Sequence, residues 1–563
     1  MSGAVTAGPA ICLSMIVRDE AHIVGEVLDA VAPYITSWVI VDTGSEDGTQ
    51  ELIRSHMAGL GIPGELHERP WQDFGHNRSE ALTLAQGHGD YIWVMDADDT
   101  VVGTPDFSHL SADAYYMRIR MSASDWIHWR PQLFRDGMPW RYLGVIHEYP
   151  HCEDPHVAER LEGDYYIEAR SVGGRSIDRQ KTYERDRDLL LAEVERNPDD
   201  ARSVVYLAQT YVALGDFVNA RRWAARRAEM GGWDEEIYYS ICLVGESMAK
   251  LDEPWPHVQD VFLRAWAFRP TRAEPLAAIA SRYRAEQRYR LGYLFARRAA
   301  AIPLPEQDTL FVNPDVYAWR AVDEQAVCAL GIGEHEEAFT LCRRLLAQPN
   351  IPDEDRTRIA ANRDVAAPAM IDAASGYPEM LAGGLVGGAR DGEVTVSLIA
   401  GPDRAATEAT LNSFLHCCLD VERVGRFLVL DAGLSAPDQA ALRERYRFLE
   451  FTDCAPAQIR GAIGGRLWLH LGQGWRFFAP DRFIGRLSAV LDAEPEVVQV
   501  GINFGDAEIL TGACAGEDVV RRGAEAGRYV LTDAMAHGPA MFDTGRPGLR
   551  TASLDEVLCI AAA

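Results

Sequence analysis

The residues of greatest chemical promise are Asp96 and Asp98. Asp96-Ala97-Asp98 follows directly on the apolar segment Tyr91–Met95. Two carboxylates one residue apart at a strand end can share a divalent cation. They are hard oxygen ligands, suited to Mg²⁺ or Mn²⁺ rather than to a soft metal. Such an ion neutralises a diphosphate and stabilises it as a leaving group. Taken alone, the motif reads more readily as a solvated acidic turn, so the neighbouring segments must decide.

Those segments describe a sheet edge. Ile11–Val17 is a continuous apolar run suited to a buried parallel strand. Ile23, Val27, Leu28 and Val31 then mark one face of a helix. Ser37–Asp42 is a second strand, and Gly48–Met57 begins a second helix. Trp71–Gly75 leads into a helix from about Asn77 to Gln86, and Asp90–Asp96 is a further strand. This βαβαβ order predicts a parallel, doubly wound sheet. Ligands of such sheets bind at the carboxyl ends of the strands. Asp42 and Asp96 both end strands, so both belong on that edge.

Four segments together resemble family 2 glycosyltransferases of the GT-A fold. They are Arg18-Asp19-Glu20, the turn Asp42-Thr-Gly-Ser-Glu-Asp-Gly-Thr49, Asn77-Arg78, and Asp96-Ala97-Asp98, in the family's order and spacing. The resemblance implies an α/β domain over residues 10–172 and a nucleotide-sugar donor. Asp42 would accept a hydrogen bond from the donor's base. Val17, Arg18 and Glu20 would line the nucleotide pocket with Asn77 and Ala97. Asp96 would reach the ribose or the metal, and Asp98 would bind the metal directly. Arg78 would neutralise diphosphate charge with its forked donors, or else pair with Glu80 or Asp98. Asp47 reads as a cap for the helix beginning at Gly48.

Gly144-Val-Ile-His-Glu148 again looks like the close of a catalytic domain in this family. His147 is a candidate third metal ligand beside Asp98. Glu148 is a candidate general base for an acceptor hydroxyl, with Asp125 as runner-up. The competing structural roles are packing under the sheet for His147 and an ion pair with Arg141 or Arg135 for Glu148. A cysteine acceptor would relax the need for a base, because thiols ionise near neutral pH.

Residues 180–365 are Ala/Arg/Leu-rich and repetitive. Polar turns stand at Leu214–Phe217, Lys250–Glu253, Glu286–Tyr289 and Ile332–His335, each between amphipathic segments. Their spacing lies near the period of about 34 residues of tetratricopeptide repeats. The segment 201–230 resembles that repeat at Leu207, Tyr211, Gly215, Ala220 and Ala228. An all-α middle domain follows, with a concave surface suited to a peptide. A plain helical bundle is the alternative. The stretch Ala382–Arg390 reads as a Gly-rich linker.

Residues 392–563 return to strand–helix alternation and echo the first zone. Val394–Ala400 corresponds to Ile11–Val17, and Asp431 takes the place of Asp42. Where the paired aspartates should stand, this copy has Gly472-Gln473-Gly474. A second α/β, GT-A-like domain that has lost catalysis is expected. His470 and Trp475 border its degenerate site and read as structural.

Composition narrows the function further. The 563 residues suit about three to five domains. With 55 Lys and Arg against 84 Asp and Glu, the net charge is −29. A surface that acidic disfavours nucleic acid and anionic lipid. The ten cysteines are scattered and form no CxxC pair, as expected of reduced core thiols. The N-terminal segment lacks a basic n-region, and no run is long enough to span a membrane. A cytoplasmic location is the expectation.

The sequence therefore supports an inverting, metal-dependent hexosyltransferase using Mn²⁺ or Mg²⁺ and a UDP-sugar such as UDP-glucose or UDP-N-acetylglucosamine. The repeats point to a peptide or protein acceptor at Ser, Thr or Cys. The arrangement is similar to bacterial peptide S- and O-glycosyltransferases. A polysaccharide or small-molecule acceptor and a non-catalytic repeat scaffold are the alternatives. A homodimer is compatible with the architecture.

Overall fold

The structure is a computed structural model. It describes residues 8–121, 127–170, 179–385, 393–453, 456–502, 520–533, 535, 538–547, 550–554 and 559–561. The chain divides into two compact units. One runs to Arg269 and includes Gln307–Phe311; the other holds Pro270–Glu306 and the chain from Val312 onward.

The first unit opens as a sheet with crossover helices. Its strands are β1 (Ile11–Val17), β2 (Ser37–Asp42), β3 (Gly64–Glu68), β4 (Tyr91–Val94), β5 (Asp99–Gly103), β6 (Ala114–Met121), β7 (Ile127–Arg135), β8 (Arg141–Leu143), β9 (Tyr149–His151), β10 (Ala158–Arg160) and β11 (Tyr165–Ala169). Its helices are α1 (Val24–Val31), α2 (Thr49–Leu60) and α3 (Phe74–Ala85). The main sheet runs β3-β2-β1-β4-β7-β6-β11-β5. The first four strands are parallel, as expected. Beyond β4 the sheet turns antiparallel through β7 and β6, so it is mixed rather than all-parallel.

The parallel half forms because its strands are apolar on both faces. Every residue of β2 and β4 is buried. Leu13, Met15, Ile40 and Trp93 join Val24, Val27, Leu28 and Val31 of α1 in one core. Burial of each such side chain contributes about 1.5–3 kcal/mol. Helix α3 begins earlier than its periodicity suggests, because Asp73 caps it by accepting the His76 N–H at 2.7 Å.

The chain continues as helices α4 (Arg179–Arg196), α5 (Ala201–Ala213), α6 (Phe217–Glu229), α7 (Asp234–Lys250) and α8 (Trp255–Phe268) in the first unit. The second unit continues with α9 (Glu274–Ala285), α10 (Tyr289–Ala300), α11 (Ala321–Ile332), α12 (His335–Leu346), α13 (Asp353–Ala373) and α14 (Glu379–Leu385). The four polar turns join α5 to α6, α7 to α8, α9 to α10 and α11 to α12. Gly215 and Gly333 take φ of +75° and +88° there, which a glycine adopts without strain. The first part of the expected Gly-rich linker, through Leu385, is instead the end of α14. Residues 386–390 lie outside the described residues. No helix among the described residues is long and apolar enough to cross a membrane.

The last region contains β12 (Val394–Ala400), β13 (Val424–Asp431), β14 (Leu449–Thr452), β15 (Leu467–Leu471), β16 (Trp475–Phe477), β17 (Val497–Ile502), β18 (Arg521–Gly523), β19 (Gly527–Thr532), β20 (Ala540–Asp543), β21 (Arg550–Leu554) and β22 (Cys559–Ala561). Its helices are α15 (Arg404–Cys417), α16 (Ala436–Arg445) and α17 (Phe483–Ala493). Its main sheet runs β14-β13-β12-β15-β20-β17-β21-β19-β18. The strand directions repeat those of the first sheet position by position: parallel through β15, antiparallel at β20 and β17, parallel at β21, antiparallel at β19. The chain reaches the outer strand differently, since β5 precedes β6 whereas β19 follows β17.

Seven cysteines among the described residues are free and buried. Burial pushes the Cys12 thiol up to about 11 and those of Cys328, Cys342 and Cys417 to about 12. They are inert packing groups at neutral pH.

Candidate active site

The carboxyl ends of β1, β2 and β4 share one edge. Val17 is in register with Asp42, and Ser14 with both Val39 and Val94. The turn after β2 is organised by Asp42 itself. Its Oδ1 accepts the N–H groups of Gly44 and Ser45 and the side-chain amide of Gln50, each at 3.0 Å. Its Oδ2 accepts the Ser45 hydroxyl. Asp42 is 1% exposed. It shapes the turn from within.

The segment after β1 is fastened to that turn. The N–H of Asp19 donates to Ser45 Oγ, that of Glu20 to Thr49 Oγ1 and that of Ala21 to Asp47 Oδ2. Asp47 also accepts the Thr49 N–H at 3.1 Å, although the N-cap position of α2 is Gly48 rather than Asp47. Arg18 stands half-exposed beside Asp19 at 3.8 Å.

Asn77 is fully buried, and both ends of its amide face the chain's own backbone. Oδ1 accepts the Gln72 N–H at 3.0 Å, and Nδ2 donates to the Pro70 carbonyl at 3.1 Å. Asn77 thus anchors the 70–72 loop ahead of α3. Asn77→Ala should lower stability by about 1–3 kcal/mol, the cost of stranding buried backbone groups. Its nucleotide affinity, measured where the variant is folded, should stay at the wild-type value. Chemical denaturation and calorimetry check both; lost affinity at unchanged stability would contradict this placement.

Arg78 is the centre of the edge. Its Nε donates to Glu148 Oε1 at 2.5 Å, and its Nη2 donates to Asp96 Oδ1. The three side chains are 11%, 13% and 29% exposed. Arg78 also lies 5.8 Å from the Tyr142 ring centroid. The pairings considered from sequence fall elsewhere: Glu80 takes Arg69, Arg141 takes Glu153, and Arg135 takes Asp113.

Arg130, not singled out in the sequence, closes the other side of Asp96. It lies 3.5 Å from Asp96 Oδ2 and donates to Asp99 Oδ2 at 3.0 Å. Burial alone would raise the Asp96 carboxyl, but Arg78 and Arg130 outweigh it and hold it at about 2. Asp99 behaves oppositely. Its burial and the nearby Asp96 charge push it up to about 7, against the opposing pull of Arg130.

Asp98 sits in the turn between β4 and β5, where its carbonyl accepts Arg170 Nε at 2.9 Å. Ala97 beside it is buried. His147 does not join the two aspartates in a metal cluster. Among the described residues no group of three His, Cys, Asp or Glu side chains gathers to hold an ion. The His147 ring instead stacks on Tyr206 at 4.1 Å. The donor set here is a carboxylate pair of hard oxygens. That set fits Mg²⁺ or Mn²⁺ held jointly with phosphate oxygens rather than by a protein cage. Asp125 lies outside the described residues.

The C-terminal sheet repeats the turn and not the carboxylate pair. Asp431 accepts the N–H groups of Gly433 and Leu434 at 2.9 and 2.8 Å, and Gln439 at 3.4 Å. A glutamine eight residues past the strand-end aspartate is common to both copies, and that signal was available in the sequence. The register of β12 with β15 sets Gly472-Gln473-Gly474 where the first sheet has Asp96-Ala97-Asp98. Gln473 packs tightly on Gly401, and Trp475 on Gly472 and Gly538. His470 is a structural group, 2.8 Å from Ser397 Oγ, and burial lowers its pKa.

A mixed sheet with a carboxylate pair at the strand edge, continued by helix pairs, defines an α/β domain joined to helical repeats. Residues 12–108 match the family described as glycosyl transferase family 2, so the chain carries a domain of that family ahead of its repeats. A "TPR repeat-containing protein" of Synechococcus elongatus is 29% identical over 271 residues, covering 44% of this chain and 64% of that protein. The chain therefore matches less than two thirds of that relative's length. Among solved structures, S. aureus TarS 1-349 in complex with UDP-GlcNAc is 13% identical, with a TM-score of 0.27 over 43% of this chain and 83% of that one. YrrB, a TPR protein with an unusual peptide-binding site, is 15% identical, with a TM-score of 0.25 over 32% of this chain and 82% of that one.

Proposed function

We propose that the chain is an inverting glycosyltransferase that moves a hexose from a UDP-sugar to a Ser, Thr or Cys side chain of a peptide held by the helical repeats. The observation that carries this reading is the Asp96–Arg78–Glu148 chain beside Asp98, on the carboxyl edge of the family 2 domain.

Each residue has a role in that reaction. The turn 42–50, shaped by Asp42 and Gln50, walls the base pocket with Val17, Arg18 and Glu20. Arg130 faces the diphosphate, and its forked guanidinium suits phosphate oxygens. Asp98, with Asp96, would hold Mg²⁺ or Mn²⁺, which supplies neutralisation of the leaving diphosphate. Glu148 takes the proton of the acceptor hydroxyl as its oxygen attacks the anomeric carbon. The bond from that carbon to the diphosphate oxygen breaks on the opposite face, which inverts the centre. Arg78 orients Glu148 throughout, and a thiol acceptor would need less from it.

The test is UDP release by the full-length protein from UDP-glucose and UDP-N-acetylglucosamine, with and without Mn²⁺, in the presence of a peptide pool read by mass spectrometry. Mn²⁺-dependent UDP release with a hexose on a peptide is expected. UDP release that consumes only a glycan or small-molecule acceptor would overturn the peptide assignment, and no release from either donor would overturn the reading.

A further inference from the structure

The segment Gly144–Tyr149 is held from two sides within the first unit. On one side, the Phe74 N–H at the start of α3 donates to the Val145 carbonyl at 3.1 Å. On the other, Val145 and Ile146 are buried with Leu190, Val194, Val204, Leu207 and Tyr211 of the first repeat helices. His147 then adopts φ +51°. That left-handed conformation is costly for a residue with a Cβ and persists only where its surroundings impose it.

The imposing groups are on α5. Arg202 Nη2 and Nε donate to the His147 carbonyl at 2.8 and 3.3 Å. Its guanidinium carbon lies 4.7 Å from the Tyr149 ring centroid and 5.0 Å from that of Tyr206. The Tyr206 ring stacks on the His147 ring at 4.1 Å with 19° between planes. Arg202 and Tyr206 are four residues apart and share one helix face. Asp200 fixes the start of that helix by accepting the N–H groups of Arg202 and Ser203. The residue that follows His147 is Glu148, which meets Arg78.

We propose that Arg202 and Tyr206 are positioning residues for sugar transfer: from the first repeat helix they hold His147 in its left-handed conformation and so hold Glu148 against Arg78. The inference rests on the glycosyltransferase reading above. It gives the repeats a second task besides acceptor capture, because the platform of the candidate base is incomplete without α5.

Four full-length variants test this: Arg202→Ala, Arg202→Lys, Tyr206→Ala and Tyr206→Phe. UDP affinity with Mn²⁺ is read by calorimetry, and kcat and donor KM by UDP release. The two alanine variants should lose about tenfold or more in kcat, the scale expected when a reacting group is displaced by a fraction of an ångström to an ångström. Their UDP affinity and donor KM should match the wild type. Tyr206→Phe keeps the ring stack and should keep kcat. Arg202→Lys keeps the charge but not the fork, and should recover only part of it. Should an alanine variant not fold, the split between Tyr206→Phe and Arg202→Lys carries the test. Wild-type kcat in folded Arg202→Ala or in Arg202→Lys would overturn the proposal. So would parallel losses of kcat, UDP affinity and thermal stability. A wild-type protein that neither binds UDP nor releases it would sink the glycosyltransferase reading, and this inference with it.

Discussion

Arg78→Met should cost the protein about 3–5 kcal/mol of stability and all measurable transfer. The reason is electrostatic. Arg78 is largely buried between two carboxylates, Glu148 and Asp96. Removing one partner of a buried charge cluster leaves the others uncompensated, which is far more harmful than replacing the cluster whole. Arg78→Lys should not restore the wild type, because a single ammonium cannot address both carboxylates in the planar geometry of a guanidinium. The combination Arg78→Met with Glu148→Gln should regain part of the stability, since only the Asp96 charge remains. It should regain no transfer. Thermal denaturation and UDP release separate the two effects. Wild-type stability in Arg78→Met would show that the cluster is not held as described.

Asp98→Ala should have the largest effect on chemistry. Its neighbour Asp96 is engaged with Arg78 and Arg130, and the Asp98 backbone carbonyl accepts Arg170 Nε. That bond survives loss of the side chain. Loss of a cation that neutralises the diphosphate would remove several kcal/mol of transition-state stabilisation, so on the proposed reading kcat/KM should fall at least about a thousandfold. Mn²⁺-dependent UDP binding that persists in Asp98→Ala would refute the assignment of Asp98 to the cation.

How far the sequence reached depended on where each signal lay. Strands β1 and β2 were legible to the residue because they are apolar on both faces and end at turn chemistry. Strand β3 was not, since Gly64-Glu-Leu-His-Glu68 presents one apolar side chain and lies at the sheet margin. The antiparallel half escaped because its strands are charged and irregular; β7 carries Pro131, and its pairing with β6 shifts register at Tyr115/Tyr116. The glycines at 383 and 384 suggested a linker, yet α14 runs through them. In the candidate site, the local pieces were readable and the long-range pairings were not. Arg78 finds Glu148 seventy residues away, across the fold. Arg130 reaches Asp96 and Asp99 from β7, a strand the periodicity did not reveal. The second copy was readable because Asp431 and Gly472-Gln473-Gly474 fall on the same strand ends as their counterparts, and strand register enforces that correspondence.

The claim that the carboxyl edge of the first sheet is a nucleotide-sugar site is tested most directly by calorimetric titration of UDP and GDP into the full-length protein, with and without Mn²⁺. Saturable binding of UDP that requires Mn²⁺ and is lost in Asp98→Ala is the result predicted. Failure of the folded protein to bind either nucleotide in the presence of Mn²⁺ would contradict it.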